Sequence, residues 1–231
     1  MHLLVIIPAY NEEASLPATV RELRKKAPGI DFIIVNDGSH DRTGDICREQ
    51  RYPLLDLPTN LGLTGAFQTG IRYAYEQNYD AVLQLDADGQ HDPAFIQPMM
   101  EKMERENLDL VLGSRFLGSK RPRSLRMVGN ALIETAIRLT TGKRISDPTC
   151  GMRLYGRRVL KHMATSPSAR PEPDTVAFLI RSGAKTAEYP VSVREREAGE
   201  SYLSLGKSIR YMTQMGMNIF VLQWVLKKEK M

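Results

Sequence analysis

The sequence of 231 residues is poor in cysteine, with only Cys47 and Cys150. These two residues lie far apart and form no CxxC pair, so the sequence predicts neither a disulfide framework nor a zinc site. We therefore expect a reducing compartment, the cytoplasm. A run of about 20 apolar residues, which a membrane-spanning helix requires, is also absent. We accordingly expect no membrane span.

The first residues, MHLLVIIPAYNEE, lack the basic segment and the small-residue cleavage site of a secretory signal peptide. Their apolar run stops at Pro8, and we interpret it as a first strand. A strong excess of one charge is missing as well, because 32 Lys and Arg residues stand against 27 Asp and Glu residues. The net charge of +5 favours anionic partners such as nucleotides, phospholipid surfaces or nucleic acid without choosing among them.

Apolar segments alternate with helical patterns through the first half of the chain. Continuous apolar runs are typical of buried strands, and apolar residues three and four apart are typical of helices. The predicted strands are 3–7, 32–35, 52–57, 81–85 and 108–113, and helices are predicted over 12–26, 65–77 and 94–106. This order predicts an α/β fold with a mostly parallel sheet and helices on both faces. Ligands of such sheets bind at the carboxyl ends of the strands.

The pattern changes after residue 114. It predicts a helix over 125–142, a turn into a strand over 147–155, a proline-rich loop over 166–174 and a strand within 184–197. A long amphipathic helix follows. We expect a globular domain over 1–202 and an amphipathic helix over 203–231 that contacts a membrane surface or a partner.

Two aspartates one residue apart follow the predicted strand 81–85, in the segment DADGQHD. The carboxylates of Asp86 and Asp88 repel each other, and a bound cation is the commonest reason for such an arrangement. Mg²⁺ or Mn²⁺ suits this spacing, since Mg²⁺ usually binds one or two carboxylates together with substrate phosphates. The alternative interpretation is a turn at Asp88 and Gly89 followed by a helix start at Asp92.

Two further polar motifs follow predicted strands. In PAYNEE, Tyr10 could stack on a nucleobase and Glu12 could accept a hydrogen bond from a ribose hydroxyl. In NDGS, Asp37 could accept a hydrogen bond from a base N–H. The alternatives are a helix capped by Asn11 and a solvent-exposed turn. Right-handed crossovers would bring all three motifs to one edge of the sheet.

Six ordered motifs together resemble the family-two glycosyltransferases with the GT-A (Rossmann-like) fold. Within that family the sequence resembles the dolichol-phosphate mannose synthases and the bacterial polyprenyl-phosphate glycosyltransferases. The resemblance covers residues 3 to 200, and its motifs are VIIPAYNEE, IIVNDGSHDRT, NLGLTGAFQTGIRYA, LQLDADGQHDP, VLGSRF and DPTCGMRLY. The sequence departs from the family at Asn130, where serine is frequent, and at Asn36, where aspartate is frequent.

The resemblance implies roles for individual residues. Those implied to hold the nucleotide sugar are Pro8, Tyr10, Glu12, Asp37 and Asp86, and those implied to hold Mg²⁺ or Mn²⁺ are Asp86, Asp88 and Gln90. Arg115 would face the diphosphate. Residues implied at the acceptor phosphate are Arg123, Arg126 and Asn130, and Arg194 and Arg196 would belong to a segment that closes over the donor. The residues expected to carry catalysis are Asp88, Arg115 and Arg126.

The implied activity is metal-dependent, inverting transfer of a sugar from a UDP- or GDP-linked donor to a polyprenyl phosphate, undecaprenyl or dolichyl. A lipid phosphate is largely ionised at pH 7 and needs little help from a general base. Asp147 and Asp174 are candidate bases only for an alcohol acceptor, and we interpret them instead as a turn residue and a helix cap. The alternatives are transfer to a cell-surface glycan, or a non-catalytic nucleotide-sugar-binding subunit of a membrane complex.

Two features predict a peripheral position on the inner face of the cell membrane. Four cations of the loop after residue 118 could meet anionic headgroups, although a solvated loop is an equal alternative: Lys120, Arg121, Arg123 and Arg126. The predicted helix 203–231 carries an apolar stripe formed by Met212, Met215, Ile219, Leu222 and Leu226. That helix could instead pack on its own domain, on a second copy, or on a small membrane-spanning partner. We expect no nucleic-acid partner.

Overall fold

A computed structural model describes residues 1–118, 125–166, 170–194 and 214–221, without the side chains of residues 125 and 126. Within these ranges the strands are β1 Leu3–Ala9, β2 Asp31–Asn36, β3 Leu54–Asp56, β4 Ala81–Gln84, β5 Leu110–Ser114, β6 Arg153–Gly156 and β7 Thr186–Pro190. The helices are α1 Leu16–Lys26, α2 Thr43–Glu49, α3 Gly62–Glu76, α4 Ile96–Arg105, α5 Leu125–Thr141, α6 Arg157–Thr165 and α7 Pro173–Arg181. A short 3₁₀ helix covers Pro93–Phe95, and 214–221 is helical.

The strands form one sheet in the order β3-β2-β1-β4-β6-β5-β7. Strands β1 to β4 are parallel, β5 and β7 are parallel, and β6 runs antiparallel between β4 and β5. The prediction of an α/β fold with a mostly parallel sheet is confirmed. Because β1 lies between β2 and β4, the carboxyl ends of these three strands meet at one edge.

Helices cover both faces of the sheet, and β1 shows how its sequence divides them. Its even-numbered residues, Leu4 and Ile6, join a buried cluster with side chains of α3, α5, α6 and α7. Its odd-numbered residues, Leu3, Val5 and Ile7, join a second cluster with α1, α2 and α4. The alternation of side chains along a strand therefore supplies two cores, one on each face.

Some predicted boundaries and elements differ from the structure. The helix predicted over 12–26 begins at Leu16, and Asn11 does not cap it, because its φ of 55° places it in a left-handed loop conformation. Helices α2 and α6 were not predicted, since seven to nine residues contain too few apolar repeats for a clear helical period. Helix α7 was indicated only by the interpretation of Asp174 as a helix cap, which is wrong in detail, because Glu172 occupies the cap position and Asp174 lies in the first turn. Pro173, predicted to lie in a loop, occupies the first turn of α7, where proline is favoured.

The described part of the predicted C-terminal helix packs on the domain. Met215 and Ile219, two residues of the predicted apolar stripe, are buried in the cluster that contains Ile133 and Ile137 of α5. The stripe residues within 214–221 therefore pack on the domain itself, which is one of the alternatives given above for this helix. The stripe residues Met212, Leu222 and Leu226 lie outside the described residues. The separate helical unit over 203–231 remains a prediction.

We predict that Gly70→Ala destabilises the protein by about 1–3 kcal/mol, the usual cost of overpacking a core. A Cβ atom at Gly70 of α3 would lie 2.5 Å from Cγ2 of Ile6, which is fully buried in β1. Gly216→Ala is the matched control, because a Cβ atom there meets nothing within 4 Å. Urea unfolding measures both free energies. Equal stability of Gly70→Ala and the unaltered protein would contradict the close α3–β1 contact.

Candidate active site

A cavity of about 450 Å³ opens at the carboxyl ends of β1, β2 and β4. Six of the residues expected from the sequence line it together: Pro8, Tyr10, Glu12, Asp37, Asp86 and Asp88. The remaining lining comes from Ala9, Ala87, Asn60 in the loop before α3, and Gly62, Leu63 and Ala66 of α3 itself. The sheet order therefore joins three motifs that are separated by up to about 80 positions in the chain.

Hydrogen bonds join the PAYNEE loop to the NDGSH loop and make them one wall of the cavity. The Asn11 main-chain N–H donates to Ser39 Oγ at 3.0 Å, and the His40 N–H donates back to Asn11 Oδ1 at 2.9 Å. The Glu12 N–H donates to Thr43 Oγ1 at 2.9 Å. Asn11 thus links two loops, a role that its local sequence did not reveal because the partners lie about 28 residues away.

Asp37 presents a fixed carboxylate to this cavity although it is only 3% exposed. Its main-chain N–H donates to Ala9 O at 2.9 Å, and its Oδ1 accepts from the Leu61 N–H at 2.7 Å. The next residue must be glycine, because Gly38 has a φ of 65° and its Cβ position would lie 2.6 Å from the carbonyl carbon of Thr59. The turn is therefore shaped by contacts with the loop before α3.

The two carboxylates after β4 are also oriented by neighbouring groups. Asp86 Oδ1 accepts from Gln84 Nε2 at 3.2 Å, and its Oδ2 lies 3.4 Å from Nδ1 of the buried His91. Asp88 Oδ1 accepts from the main-chain N–H of Gln90 at 3.0 Å. A site built from carboxylate oxygens suits a hard divalent cation.

The described residues bring together no cluster of three or more His, Cys, Asp or Glu side chains able to hold a metal by themselves. Two carboxylates in an open cavity still fit Mg²⁺ or Mn²⁺, because Mg²⁺ commonly binds few protein ligands and completes its coordination with water and substrate phosphates.

Gly151 leaves room for Asp86 and His91 at the back of the cavity. A Cβ atom at this position would lie 2.7 Å from Asp86 Oδ2 and 3.0 Å from His91 Cε1. Gly151 lies in the motif DPTCGMRLY, and its local sequence indicates no role for it. The steric requirement becomes visible only when β6 is paired with β4.

Arg115, directly after β5, binds Asp147, an aspartate whose local sequence indicates only a turn. Its Nε and Nη2 donate to the two carboxylate oxygens of Asp147 at 2.7 and 2.8 Å, and Nη2 also donates to Thr149 Oγ1 at 2.9 Å. The Asp147 side chain is fully buried, and these hydrogen bonds raise the pKa of Arg115 above its ordinary value. The guanidinium is thereby held in one orientation.

Asn130 lies behind this pair. It is 2% exposed, its Nδ2 donates to Ser146 O at 3.2 Å, and its Oδ1 accepts from Thr149 Oγ1 at 3.2 Å. Its amide therefore supports the loop that carries Asp147, and the expected contact with an acceptor phosphate remains a prediction. Arg123 and the side chain of Arg126 lie outside the described residues.

Gln90, expected to bind the metal, contacts Arg194, expected to belong to the closing segment. Gln90 Nε2 donates to the main-chain oxygen of Arg194 at 3.1 Å. The guanidinium of Arg194 binds the carboxylates of Glu22 and Asp92. Arg196 lies outside the described residues, so its role remains a prediction.

The sequence of the domain matches the model of the family described as "Glycosyl transferase family 2" over residues 4–164. The chain belongs to glycosyltransferase family 2. This family 2 glycosyltransferase is 33% identical to the undecaprenyl-phosphate mannosyltransferase of Micrococcus luteus, over 94% of this chain and 95% of the relative. It is 30% identical to the polyprenol monophosphomannose synthase of Mycolicibacterium smegmatis, over 90% and 82% of the two chains. The predicted family and the predicted enzyme class are confirmed.

The family 2 glycosyltransferase also shares its fold with solved structures. The glucosyl-3-phosphoglycerate synthase from Mycobacterium tuberculosis, in complex with Mn²⁺ and UDP-glucose, superimposes with a TM-score of 0.71. The match has 17% sequence identity and covers 97% of this chain and 79% of that chain. The predicted GT-A fold is confirmed.

We predict that Gly151→Ala lowers the rate of sugar transfer by the family 2 glycosyltransferase about 100-fold, the scale of loss caused by a shift of about 1 Å in a catalytic geometry. The added methyl group must displace the Asp86 carboxylate or the His91 ring. Gly156→Ala, also on the β6 side, is the matched control, because its Cβ atom would meet no atom closer than 3.4 Å. Transfer rates and unfolding midpoints are compared. Full activity of Gly151→Ala would rule out this steric role.

Proposed function

We propose that this glycosyltransferase moves a sugar from a nucleotide sugar to a polyprenyl phosphate, with inversion at the anomeric carbon. The observation that carries the proposal is that one cavity combines side chains suited to bind a nucleoside with two carboxylates one residue apart, within a chain that matches two polyprenyl-phosphate enzymes over most of their length. We place the nucleoside near Tyr10, Glu12 and Asp37, and the diphosphate near Asp86 and Asp88.

The nucleoside side of the cavity offers an aromatic ring and buried acceptors. Tyr10 can stack on a base, and the fixed Asp37 carboxylate can accept from a base N–H, as uracil and guanine both provide. Glu12 can accept from a ribose hydroxyl. Leu63 and Ala66 add apolar lining on the α3 side. These contacts suit a UDP- or GDP-linked donor.

Asp86, Asp88 and Gln90 would hold Mg²⁺ or Mn²⁺, which when bound neutralises charge on the departing nucleoside diphosphate. Two carboxylates and one amide leave coordination positions for the diphosphate oxygens. Solved relatives in fold bind UDP together with Mn²⁺ or Mg²⁺. Arg115 would stabilise the same leaving group, since Asp147 and Thr149 hold its guanidinium in place before the reaction begins.

The state of Asp147 supports a phosphate acceptor over an alcohol. A general base needs a carboxylate within reach of the acceptor proton, but Asp147 is fully buried and both of its oxygens bind Arg115. Asp174 lies in the first turn of α7, where its Oδ1 accepts from the Thr175 N–H. An acceptor phosphate arrives largely ionised and can attack without either residue. Arg126, with Arg123 and Asn130 nearby in sequence, would orient it.

We further propose that the protein binds the inner face of the cell membrane peripherally. Exposed apolar residues of α5 support this: Val128, Leu132 and Leu139 are 59%, 52% and 70% exposed and lie within about 40° of one another around the helix. Met217, Phe220 and Val221 are exposed on the helical segment 214–221. In the part of the chain that the structure describes, every helix is too short or too polar to cross a bilayer.

We predict that Asp88→Asn lowers the rate of sugar transfer more than about 100-fold. Mutation of a residue that only supports a metal ligand typically lowers metal affinity or activity 10- to 100-fold, and loss of a ligand should cost more. Labelled UDP- and GDP-sugars are incubated with a polyprenyl phosphate and Mn²⁺ or Mg²⁺, and the product is extracted into organic solvent. Asp45→Asn, at an exposed aspartate of α2, is the control. Chelation with EDTA should stop the reaction, and added metal should restore it.

Three results would contradict these assignments separately. Unchanged turnover of Asp88→Asn at saturating metal would remove Asp88 from the metal site. A product that stays in water with glycan acceptors would replace the lipid acceptor by a glycan. Binding of nucleotide sugar without transfer to any acceptor would indicate a non-catalytic subunit.

We predict that Leu132→Glu combined with Phe220→Glu weakens binding to phosphatidylglycerol liposomes more than tenfold. Each buried large apolar side chain contributes about 1.5–3 kcal/mol, and about 1.4 kcal/mol corresponds to a factor of ten. Gln97→Glu is the control, because it adds a negative charge to an exposed position of α4, on the other face of the sheet. Liposome sedimentation measures binding. Unchanged sedimentation of the double variant would exclude this surface.

A further inference from the structure

Four charged side chains from three parts of the chain form a closed ring beside the loop 86–92. Glu22 and Lys26 belong to α1, Asp92 follows the DADGQH segment, and Arg194 follows β7. Arg194 Nη1 and Nη2 lie 2.9 and 2.8 Å from the two oxygens of Glu22, and Nη2 lies 2.9 Å from Asp92 Oδ2. Lys26 Nζ closes the ring, at 2.8 Å from Asp92 Oδ1 and 2.7 Å from Glu22 Oε1. We call these residues the charged ring.

The charged ring is electrically balanced, with two cations and two carboxylates. The hydrogen bond that Glu22 accepts from Arg194 holds the pKa of Glu22 below its ordinary value. The pKa of Asp92 is also lowered, because hydrogen bonds from Lys26, Ala94 and Arg194 together outweigh the opposing effect of burial. Single surface ion pairs contribute little, but a two-pronged arginine within a network is geometrically specific. The ring can therefore fix the place of Arg194.

The main chain of Arg194 is hydrogen-bonded to Gln90, which the family resemblance implies as a metal ligand. The Arg194 N–H donates to Gln90 O at 2.9 Å, and Gln90 Nε2 donates to Arg194 O at 3.1 Å. The neighbouring residues His91 and Val193 form an antiparallel bridge. The charged ring thus anchors a short main-chain pairing between 90–91 and 193–194.

This pairing decides the orientation of the Gln90 side chain. A main-chain carbonyl only accepts hydrogen bonds, so the Gln90 atom that faces Arg194 O must be the amide nitrogen. The amide is planar, and the direction of Oε1, its only metal-binding atom, is then determined. The Gln90 N–H also donates to Asp88 Oδ1 at 3.0 Å. The position of residue 90 therefore affects two of the three expected ligands.

We propose that Arg194 is a positioning residue for the metal site: its guanidinium, held by Glu22 and Asp92, fixes the carbonyl that orients Gln90. The proposal rests on the proposed metal-dependent function and assigns Arg194 a role different from donor contact. Both terminal nitrogens of its guanidinium already bind carboxylates, those of Glu22 in α1 and of Asp92 at the end of the loop 86–92. Mutation of a residue that orients a metal ligand typically lowers metal affinity 10- to 100-fold.

The test measures Mn²⁺ binding to the full chain in the presence of UDP or GDP, whichever the unaltered protein binds. The electron paramagnetic resonance signal of free Mn²⁺ gives the Kd without any turnover. Arg194→Met should raise the Kd at least about tenfold. Arg194→Lys, which keeps one charge, should give an intermediate value. Glu22→Gln, which weakens the ring without altering residue 194, should raise the Kd in the same direction.

Lys25→Met is the matched control, because it removes a cation from an exposed position of the same helix α1. Its Mn²⁺ Kd should stay within about twofold of the unaltered protein. At saturating Mn²⁺, the kcat of Arg194→Met should return to at least half of the unaltered value, because Arg194 acts through metal binding. Thermal unfolding identifies a variant that fails to fold, and Glu22→Gln then carries the comparison.

Distinct results separate the inference from the proposed function. Unchanged Mn²⁺ Kd values in both Arg194→Met and Glu22→Gln would overturn the positioning role while leaving the metal-dependent transferase in place. A raised KM for the nucleotide sugar with an unchanged Mn²⁺ Kd would place Arg194 at the donor instead. Absence of Mn²⁺ binding by the unaltered protein would contradict the proposed metal dependence itself.

Discussion

The parallel pairing of β1 with β2 on one side and β4 on the other is the constraint on which the candidate active site depends. The register sets Ala9 beside Asn36 and Ile6 beside Gln84, so β1 and β2 end at the same level and β4 ends three residues earlier, which leaves the segment 85–88 to run alongside the end of β1. The nucleoside-type residues and the paired aspartates consequently line one cavity. A shift of register by one residue would reverse the side chains of a whole strand and separate these groups.

Two arginines among the predicted site residues are held by fixed partners. Asp147 and Thr149 hold the guanidinium of Arg115. Glu22 and Asp92 hold that of Arg194. In both cases a carboxylate remote in sequence determines where an arginine lies. Under the proposed function, the support of Arg115 would limit the reorganisation needed when charge develops on the leaving diphosphate.

Much of the fold and part of the site could be predicted from local sequence patterns. The apolar runs of β1, β2 and β4 are longer and more continuous than those of loops, and α3, α4 and α5 show clear helical periods. The short helices α2 and α6 were not predicted, because seven to nine residues contain about two turns. Asp147 was interpreted as a turn residue because its partner Arg115 lies 32 positions earlier.

The sequence by itself determined the order of strands and helices, the family and the polar residues that follow β1, β2 and β4, because these depend on local periodicity and on compact motifs. The tertiary structure alone decided which of those residues share a cavity, and it also decided the partners of Arg115, Asn130 and Arg194. Those partners come from distant strands and helices. Hydrogen bonds between distant residues require only suitable distance and geometry, and leave no periodic signal in the chain.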